Sequence, residues 1–213
     1  MTEEKQVKIM ADAVELDGIL RIPKNSPAMV VFAHGSGSSR LSPRNRFVAR
    51  VLQKAGMGTL LFDLLTAQED EVYENRFDIP LLTRRLKAAT QWIKGQSETA
   101  KLKLGYFGAS TGTAVALVAA ADFGRQIKAI VSRGGRPDLA GNALEKVIAP
   151  VLLIVGGEDR IVIELNKAAF DMIKAEKQLK IIPGATHLFE EPGKLDEAAR
   201  LAAEWFKKYL MTR

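Results

Sequence analysis

A five-residue motif between two apolar segments constrains the fold of this chain most strongly. Residues 108–112 read Gly-Ala-Ser-Thr-Gly and fit the pattern G-x-S-x-G. The strand-like segment 102–107 precedes the motif, and the small, apolar, helix-like segment 113–121 follows it. A strand, a sharp turn at serine and a helix are the context of a nucleophile elbow, in which the serine hydroxyl stands above a sheet edge. We therefore predict that Ser110 is a nucleophile; the alternative is a glycine-rich turn in which Ser110 only caps the helix.

Strand-like and helix-like segments alternate along the 213 residues. The apolar segments that predict buried strands are 30–34, 58–64, 102–107, 127–132, 151–155 and 179–182. The segments that predict helices are 44–55, 77–93, 113–121, 165–175 and 195–210, with a short helix near 142–147 and a polar loop at 67–75. This alternation predicts an α/β fold, a mostly parallel central sheet with helices on both faces, formed by one domain over residues 1–213. A hairpin over residues 7–22 would add antiparallel edge strands.

The composition restricts the class of protein. The chain has no cysteine, so disulfides, thiolate nucleophiles and cysteine metal sites are excluded. Thirty-one Lys and Arg exceed 25 Asp and Glu, but the basic residues are scattered, which argues against nucleic-acid binding. The polar start and the lack of a long apolar run indicate no signal peptide and no membrane span, and favour a cytoplasmic location. The predicted closing helix 195–210 is amphipathic, and its apolar face can pack either on its own sheet or on a second copy. A homodimer is therefore one of the two expected states.

A serine hydroxyl needs a base to remove its proton, and the chain has only two histidines. His187 follows the last predicted strand, so it lies on a loop at the same sheet edge as Ser110. The strand 151–155 ends in Gly-Gly-Glu-Asp, and Asp159 follows the turn. The order Ser110, Asp159, His187 is the order of a Ser-Asp-His triad. We predict Asp159 as the acid; the adjacent Glu158 is the rival.

The second histidine, His34, ends a buried strand and opens the sequence Gly35-Ser36-Gly37. A loop at this place can direct backbone N–H groups at a developing oxyanion. We predict that the donors are the N–H of Ser36 or Gly37 together with the N–H of Thr111. His34 itself is predicted to tie the loop by a side-chain hydrogen bond.

Motifs for cofactors are absent from the sequence. Gly35-Ser36-Gly37 begins like a dinucleotide fingerprint, but Arg40 stands where the third glycine belongs, and no P-loop pattern occurs. A metal site would need ligands beyond the two histidines, and both histidines are already assigned other roles. We therefore predict neither a cofactor nor a metal.

Two arginines follow a predicted strand at the active edge. Arg133 and Arg136 lie in Ser-Arg-Gly-Gly-Arg and are candidates to bind a substrate carboxylate through a bidentate fork. The alternative for Arg133 is a structural ion pair with Asp63 or Asp138, which end or follow neighbouring strands. Asp138 is also a distant third candidate for the triad acid.

Four blocks of this sequence resemble α/β-hydrolases. They are His34-Gly35-Ser36-Gly37, Gly108-Ala109-Ser110-Thr111-Gly112, Gly156-Gly157-Glu158-Asp159 and Gly184-Ala185-Thr186-His187. The chain is most similar to the dienelactone-hydrolase-like branch, which is small and single-domain without a cap insertion, and the resemblance extends from about Val14 to Leu210. It implies the α/β-hydrolase fold and the triad. Dienelactone hydrolase itself has a cysteine nucleophile, so serine at position 110 favours ordinary ester hydrolysis.

The sequence thus predicts a serine hydrolase that cleaves a small carboxylic ester, thioester or lactone through an acyl-enzyme. Only residues 133–150 separate two strands where a lid domain is usual in this fold, so we expect an open cleft and a small substrate. Two alternatives keep the same scaffold: an acyltransferase, and a ligand-binding protein without turnover.

Overall fold

A computed structural model describes residues 3–212. Eight strands form one sheet: β1 (Lys5–Ala11), β2 (Val14–Arg21), β3 (Ala28–Ala33), β4 (Gly58–Phe62), β5 (Lys103–Ala109), β6 (Ile127–Arg133), β7 (Val151–Gly156) and β8 (Lys177–Ile182). Their order across the sheet is β1-β2-β4-β3-β5-β6-β7-β8. The strands β3 to β8 run parallel, so their carboxyl ends meet at one edge.

The predicted opening hairpin is confirmed. The strands β1 and β2 pair antiparallel from Lys5–Leu20 to Ala11–Val14, and Asp12 has a φ of +56° in the turn between them. The strand β2 also pairs antiparallel with β4. The hairpin therefore extends an otherwise parallel sheet at one side.

Residues 3–212 contain six α-helices, and five of them cover the two faces of the sheet, as predicted. The six helices are α1 (Pro43–Lys54), α2 (Ala67–Glu71), α3 (Ile79–Gly95), α4 (Gly112–Phe123), α5 (Arg160–Met172) and α6 (Lys194–Phe206). One core lies between the sheet and the apolar faces of α3, α4 and α5. The other core lies between the opposite face of the sheet and α1 and α6. The middle of the sheet is consequently buried on both faces, which explains its continuous apolar strands.

Two helix predictions are wrong. The segment 67–75, predicted to be a loop, contains α2, because Thr66 and Glu69 form a reciprocal capping box at its start. A 3-10 helix, Tyr73–Phe77, follows it. The helix α5 begins at Arg160, five residues earlier than predicted, because Val162 and Ile163 already face the interior.

The connection between β6 and β7 is short. It contains a 3-10 helix, Pro137–Lys146, where a short helix near 142–147 was predicted. Within residues 3–212, this connection carries no inserted domain. The carboxyl edge of the parallel strands is left accessible by this connection.

Candidate active site

The motif around Ser110 folds into the predicted turn between β5 and α4. Ser110 has a φ of +50°, a conformation that costs energy for a residue with a side chain. The two flanking glycines permit it because backbone approaches them closely. A Cβ at Gly108 would lie 2.5 Å from the Cα of Thr113, and one at Gly112 would overlap the carbonyl of Ala33. The strained turn is therefore fixed by dense packing on both sides.

Residues 133–136, at the end of β6 and in the loop after it, form two hydrogen bonds with the backbone of Ser110. The Ser110 N–H donates to the carbonyl of Arg133 at 3.3 Å, and the Arg136 N–H donates to the carbonyl of Ser110 at 3.0 Å. The buried Asn166 on α5 donates from Nδ2 to the carbonyl of Gly135 at 2.9 Å. Asn166 thus positions the loop that holds Ser110. No motif in the sequence marks it.

His187 and Asp159 form the strongest polar contact at this edge. The Nδ1–H of His187 donates to Oδ2 of Asp159 at 2.6 Å. Asp159 is half-buried in the turn between β7 and α5, and 39% of the His187 side chain is exposed. The neighbouring Glu158 is exposed and its side chain forms no hydrogen bond or ion pair within residues 3–212. The geometry therefore favours Asp159 over Glu158 as the partner of His187.

Gly134 brings His187 next to the loop that holds Ser110. A Cβ at Gly134 would lie 3.0 Å from the carbonyl oxygen of His187 and 3.6 Å from its ring atom Cε1. Gly134 also has a φ of +52°, which favours glycine. Since the Arg133 carbonyl accepts the Ser110 N–H, the short segment Arg133–Gly134 contacts both the serine backbone and His187. The structure thus brings Ser110, Asp159 and His187 together at one edge.

His34 is a structural residue in this geometry. Its Nδ1–H donates to the carbonyl of Gly35 at 2.9 Å, and its Nε2 accepts from the N–H of Leu64 at 3.0 Å. Burial lowers the pKa of His34, while its bond to Gly35 acts in the opposite direction. The ring is therefore neutral at pH 7 and ties β3 to the residues after β4.

The predicted oxyanion donors differ in their availability. The Ser36 N–H donates to Oγ1 of Thr111 at 2.9 Å, so Ser36 is not an open donor here. The N–H groups of Gly37 and Thr111 donate to no acceptor within the described residues. Gly37 has a φ of +64°, and Gly35 lies against the nucleophile, because its Cβ would be 3.0 Å from the Cβ of Ser110. Of the three predicted donors, Gly37 and Thr111 are therefore the two whose N–H groups are unengaged among residues 3–212.

Arg136 has an acidic partner, whereas Arg133 has none among residues 3–212. Arg136 forms a bidentate pair with Asp138 at 2.9 and 2.8 Å, and this carboxylate raises its pKa. Arg133 is 7% exposed, and its Nε and Nη1 are enclosed without an acceptor. The proposed ion pair of Arg133 is wrong, because Asp63 binds Arg40 and Asp138 binds Arg136.

Burial lowers the pKa of Arg133 to about 10, and the charge of Arg44 acts in the same direction. The Arg133 guanidinium remains protonated at neutral pH. Its Cζ lies 5.9 Å from the centre of the Phe107 ring, which is a weak compensation for the missing carboxylate.

A cavity of about 260 Å³ lies beside the His34 loop at the same edge. Its polar lining includes His34, Ser38, Arg40, Asp63 and Asp70. Among residues 3–212, no group of three or more His, Asp or Glu side chains is arranged to hold a metal ion. Across the same span, each helix is too short or too polar to cross a membrane.

The fold is that of the α/β-hydrolases. Residues 16–211 match the model of the dienelactone hydrolase family, and the chain belongs to that family. A crystal structure of a dienelactone hydrolase from Anabaena variabilis is 54% identical to this chain, with a TM-score of 0.95 over 98% of this chain and 99% of that one. The resemblance found in the sequence is thereby confirmed.

Two further similar proteins are a longer relative and a solved structure of low sequence identity. A Mycobacterium tuberculosis protein named "Putative phosphoribosyl transferase" is 55% identical over 207 residues, which are 97% of this chain and 47% of that protein. The chain thus spans about half the length of this relative. An α/β serine hydrolase without lid from Xanthomonas campestris is 20% identical, with a TM-score of 0.81 over 100% of this chain and 98% of that one. At this identity the similarity is one of fold.

Proposed function

We propose that this protein is a serine hydrolase that cleaves small carboxylic esters, thioesters or lactones through an acyl-enzyme, in the manner of a carboxylesterase. The observation that carries the proposal is the 2.6 Å hydrogen bond between His187 and Asp159, placed beside the strained turn of Ser110. Asp159 fixes the tautomer of His187 that leaves Nε2 free to accept the serine proton. Membership of the dienelactone hydrolase family supports hydrolysis as the reaction class.

In the first half-reaction, the Ser110 oxygen attacks the acyl carbon while His187 Nε2 accepts its proton. The carbonyl oxygen becomes an oxyanion, for which the N–H groups of Gly37 and Thr111 are the proposed donors. A donor of this kind contributes about 3 kcal/mol in comparable sites. Collapse of the intermediate breaks the bond to the leaving alcohol, which takes the proton from His187. Asp159 stabilises the imidazolium between these two transfers.

In the second half-reaction, water attacks the acyl-enzyme and gives its proton to His187. The intermediate collapses, and Ser110 leaves with that proton while the carboxylic acid is released. The catalytic residues therefore return to their starting state. The same acyl-enzyme would transfer its acyl group to an alcohol if the pocket favoured one over water, which is the acyltransferase alternative.

The openness of the site supports a small substrate. The short connection between β6 and β7 adds only the 3-10 helix Pro137–Lys146 beside the edge. The transferase name of the mycobacterial relative belongs to a protein twice as long, and we do not extend it to this chain.

The proposal is tested by turnover of p-nitrophenyl pentanoate. Ser110→Ala and His187→Gln should each lower kcat by at least about 10³-fold, because members of a triad act as a unit. Ser97→Ala, at an exposed turn, is the matched control and should retain full activity. A fluorophosphonate should label the wild-type protein at Ser110 and should not label Ser110→Ala.

A folded Ser110→Ala variant with undiminished turnover would refute the proposed mechanism. Absence of both turnover and labelling in the wild-type protein would favour a ligand-binding protein on the same scaffold. Products formed in the presence of methanol distinguish the remaining alternative, since an acyltransferase yields the methyl ester in excess over the free acid.

A further inference from the structure

The guanidinium of Arg76, in the 3-10 helix after α2, is fixed by one carboxylate. Its Nε donates to Oδ1 of Asp70 at 3.0 Å, and its Nη2 donates to Oδ2 at 3.0 Å. The same two nitrogens donate to the main-chain carbonyl of Asp70 at 3.1 and 2.7 Å. Because the guanidinium is planar and one whole edge of it is engaged, its rotation is restricted. Asp70 therefore determines where the third nitrogen, Nη1, lies.

Asp70 is itself held in place by hydrogen bonds around α2. This helix has only five residues, so its shape depends on contacts outside it. Glu69 accepts from Nη2 of the buried Arg85 on α3 at 2.7 Å, and the Glu69 carbonyl accepts from Nδ2 of Asn75 at 2.8 Å. These bonds fasten α2 to α3 and to the segment Tyr73–Phe77. The ion pair between Asp70 and Arg76 thus stands on a braced segment of the chain.

The free side of the Arg76 guanidinium faces the loop after β3. Its Nη1 forms no hydrogen bond with residues 3–212. Nη1 lies 3.9 Å from the position that a Cβ on Gly37 would take, and apart from the chain neighbours of Gly37 no other atom of these residues is within 4 Å of that position. Arg76 and Asp70 also line a small cavity together with residues 34–37. A charged N–H group is therefore exposed to open space beside Gly37.

Gly37 is one of the two predicted oxyanion donors whose N–H is unengaged within the described residues. The loop that carries it also contacts the nucleophile, since a Cβ on Gly35 would lie 3.7 Å from Oγ of Ser110. A positive group that is fixed beside such a donor stabilises a developing negative charge without having to reorganise during the reaction. The position of Arg76 is consequently one from which it can influence the oxyanion.

We propose that Arg76 is a positioning residue of the oxyanion site. Held by Asp70, it keeps the loop at Gly37 in place and sets a positive group beside the N–H that receives the developing charge. This inference rests on the proposed hydrolase function and adds a residue to its machinery. The oxyanion exists only after Ser110 has attacked, so Arg76 stabilises the transition state more than the bound ester.

Two other roles for Arg76 predict different kinetics. Arg76 and Asp70 are six residues apart, so their ion pair could serve only to hold their own segment of chain together. Loss of such a pair would lower the free energy of unfolding and leave kcat and KM of the folded protein unchanged. A residue that binds the ester before reaction would affect KM. Neither role lowers kcat at a constant KM.

The experiment measures kcat and KM for the neutral ester p-nitrophenyl pentanoate. Arg76→Gln removes the charge and should lower kcat by about 10-fold, less than the roughly 10²-fold or greater loss for a donor that touches the oxyanion itself, and should leave KM within about twofold. Arg76→Lys keeps the charge without the planar fork, so its kcat should lie between the two. Arg84→Gln is the matched control, because Arg84 is an exposed cation on α3 outside this cavity, and both constants should stay at the wild-type values.

A second measurement reports on the oxyanion directly. Butyl trifluoromethyl ketone has the same alkyl chain as the pentanoyl group. The Ser110 oxygen bonds to its carbonyl carbon, the serine proton passes to His187, and the ketone oxygen becomes an oxyanion. The inhibition constant of this ketone should therefore rise in Arg76→Gln by the factor by which kcat/KM falls. Urea denaturation of the same variants measures any separate loss of stability.

A folded Arg76→Gln variant with unchanged kcat, or with a loss confined to KM, would overturn the proposal. If this variant does not fold, Asp70→Asn decides, since it releases the guanidinium and should also lower kcat by about 10-fold at a constant KM. An unchanged kcat in Asp70→Asn would then refute the positioning role. If the wild-type protein hydrolyses no ester, the hydrolase function fails and the role of Arg76 fails with it, whereas an active wild type with an equally active Arg76→Gln refutes only the role of Arg76.

Discussion

The two histidines of this chain lie at the same sheet edge but bind different partners. His34 is 8% exposed, and both of its ring nitrogens are bound to main-chain groups, the carbonyl of Gly35 and the N–H of Leu64. His187 has 39% of its side chain exposed, and its Nδ1 is bound to the carboxylate of Asp159. Both rings lie at the same sheet edge. The group that each ring binds is therefore what distinguishes the structural His34 from the candidate base His187.

This difference has a physical basis. A carbonyl and an N–H together hold the neutral imidazole of His34 in one tautomer and leave no nitrogen for a substrate. A carboxylate stabilises the imidazolium that forms when His187 accepts a proton. In the proposed mechanism His187 therefore cycles between two protonation states, whereas His34 is held in one.

The largest expected effect comes from removing the carboxylate that distinguishes the two rings. Asp159→Asn keeps the shape of the side chain but removes its charge and favours the wrong tautomer of His187. We expect kcat for p-nitrophenyl pentanoate to fall by about 10⁴-fold. Glu158→Gln is the matched control, since Glu158 is adjacent and exposed, and its kcat should stay within about twofold of wild type, as for most surface substitutions.

The opposite pattern, a large loss in Glu158→Gln and a small loss in Asp159→Asn, would show that the neighbouring carboxylate supports His187 during turnover. Equal losses in both variants would indicate that the turn between β7 and α5 had changed shape.

A second, smaller effect should come from moving His187 without changing its partner. Gly134→Ala places a methyl group 3.0 Å from the His187 carbonyl oxygen, so the backbone that carries the imidazole must shift by a few tenths of an ångström, whereas the ring at 3.6 Å is in ordinary contact. We expect kcat/KM to fall by about 10-fold, less than the roughly 10²-fold cost of a displacement of about 1 Å at a reacting group. Urea denaturation measures the accompanying loss of stability, about 1–2 kcal/mol for the positive φ.

Gly141→Ala is the control for backbone strain. Gly141 has a φ of +51°, nearly that of Gly134, but a Cβ there meets nothing within 4 Å. It should lower the free energy of unfolding by a similar amount and leave kcat/KM at the wild-type value. If the two alanine variants lose the same activity, strain rather than contact with His187 explains the effect.

Much of this arrangement was predictable from the sequence. The strand, turn and helix around Ser110 predicted the elbow, and apolar segments predicted each parallel strand. The capping box of α2 was also visible, because Thr66 and Glu69 have the spacing of that motif, but the polar composition of 67–75 obscured it. Local patterns of this kind depend on residues near one another in the chain.

The surroundings of the arginines were not predictable in the same way. Asp63 and Asp138 both follow strands at the active edge, so either was a reasonable partner for Arg133. The structure pairs Asp63 with Arg40, 23 residues earlier in the chain, and Asp138 with Arg136. The hydrogen bond from Asn166 to Gly135 spans 31 residues. The partners of Asp63 and Asn166 depend on packing between distant segments, which no local pattern specifies, whereas Asp138 and Arg136 are only two residues apart.

The smallest expected effect is the contribution of His34 to stability as a function of pH. Burial holds the folded-state pKa of His34 below its usual value of 6.5, so on acidification the unfolded chain binds the proton first. The free energy of unfolding should therefore decrease as the pH falls below about 6.5, by at most about 1.4 kcal/mol per pH unit from this group. Urea denaturation at pH 7, 6 and 5 measures the free energy of unfolding of the wild type and of His34→Gln.

The glutamine variant carries no titrating group at this position, so its stability should depend less on pH over the same interval. Both proteins retain every other titratable group, so the difference between them isolates the contribution of position 34. His34→Gln should be less stable at pH 7, because it loses at least one of two buried hydrogen bonds, each contributing about 1 kcal/mol. If the free energy of unfolding depends on pH equally in the two proteins, His34 is not held neutral by its main-chain partners. The two histidines would then differ only in their exposure to solvent.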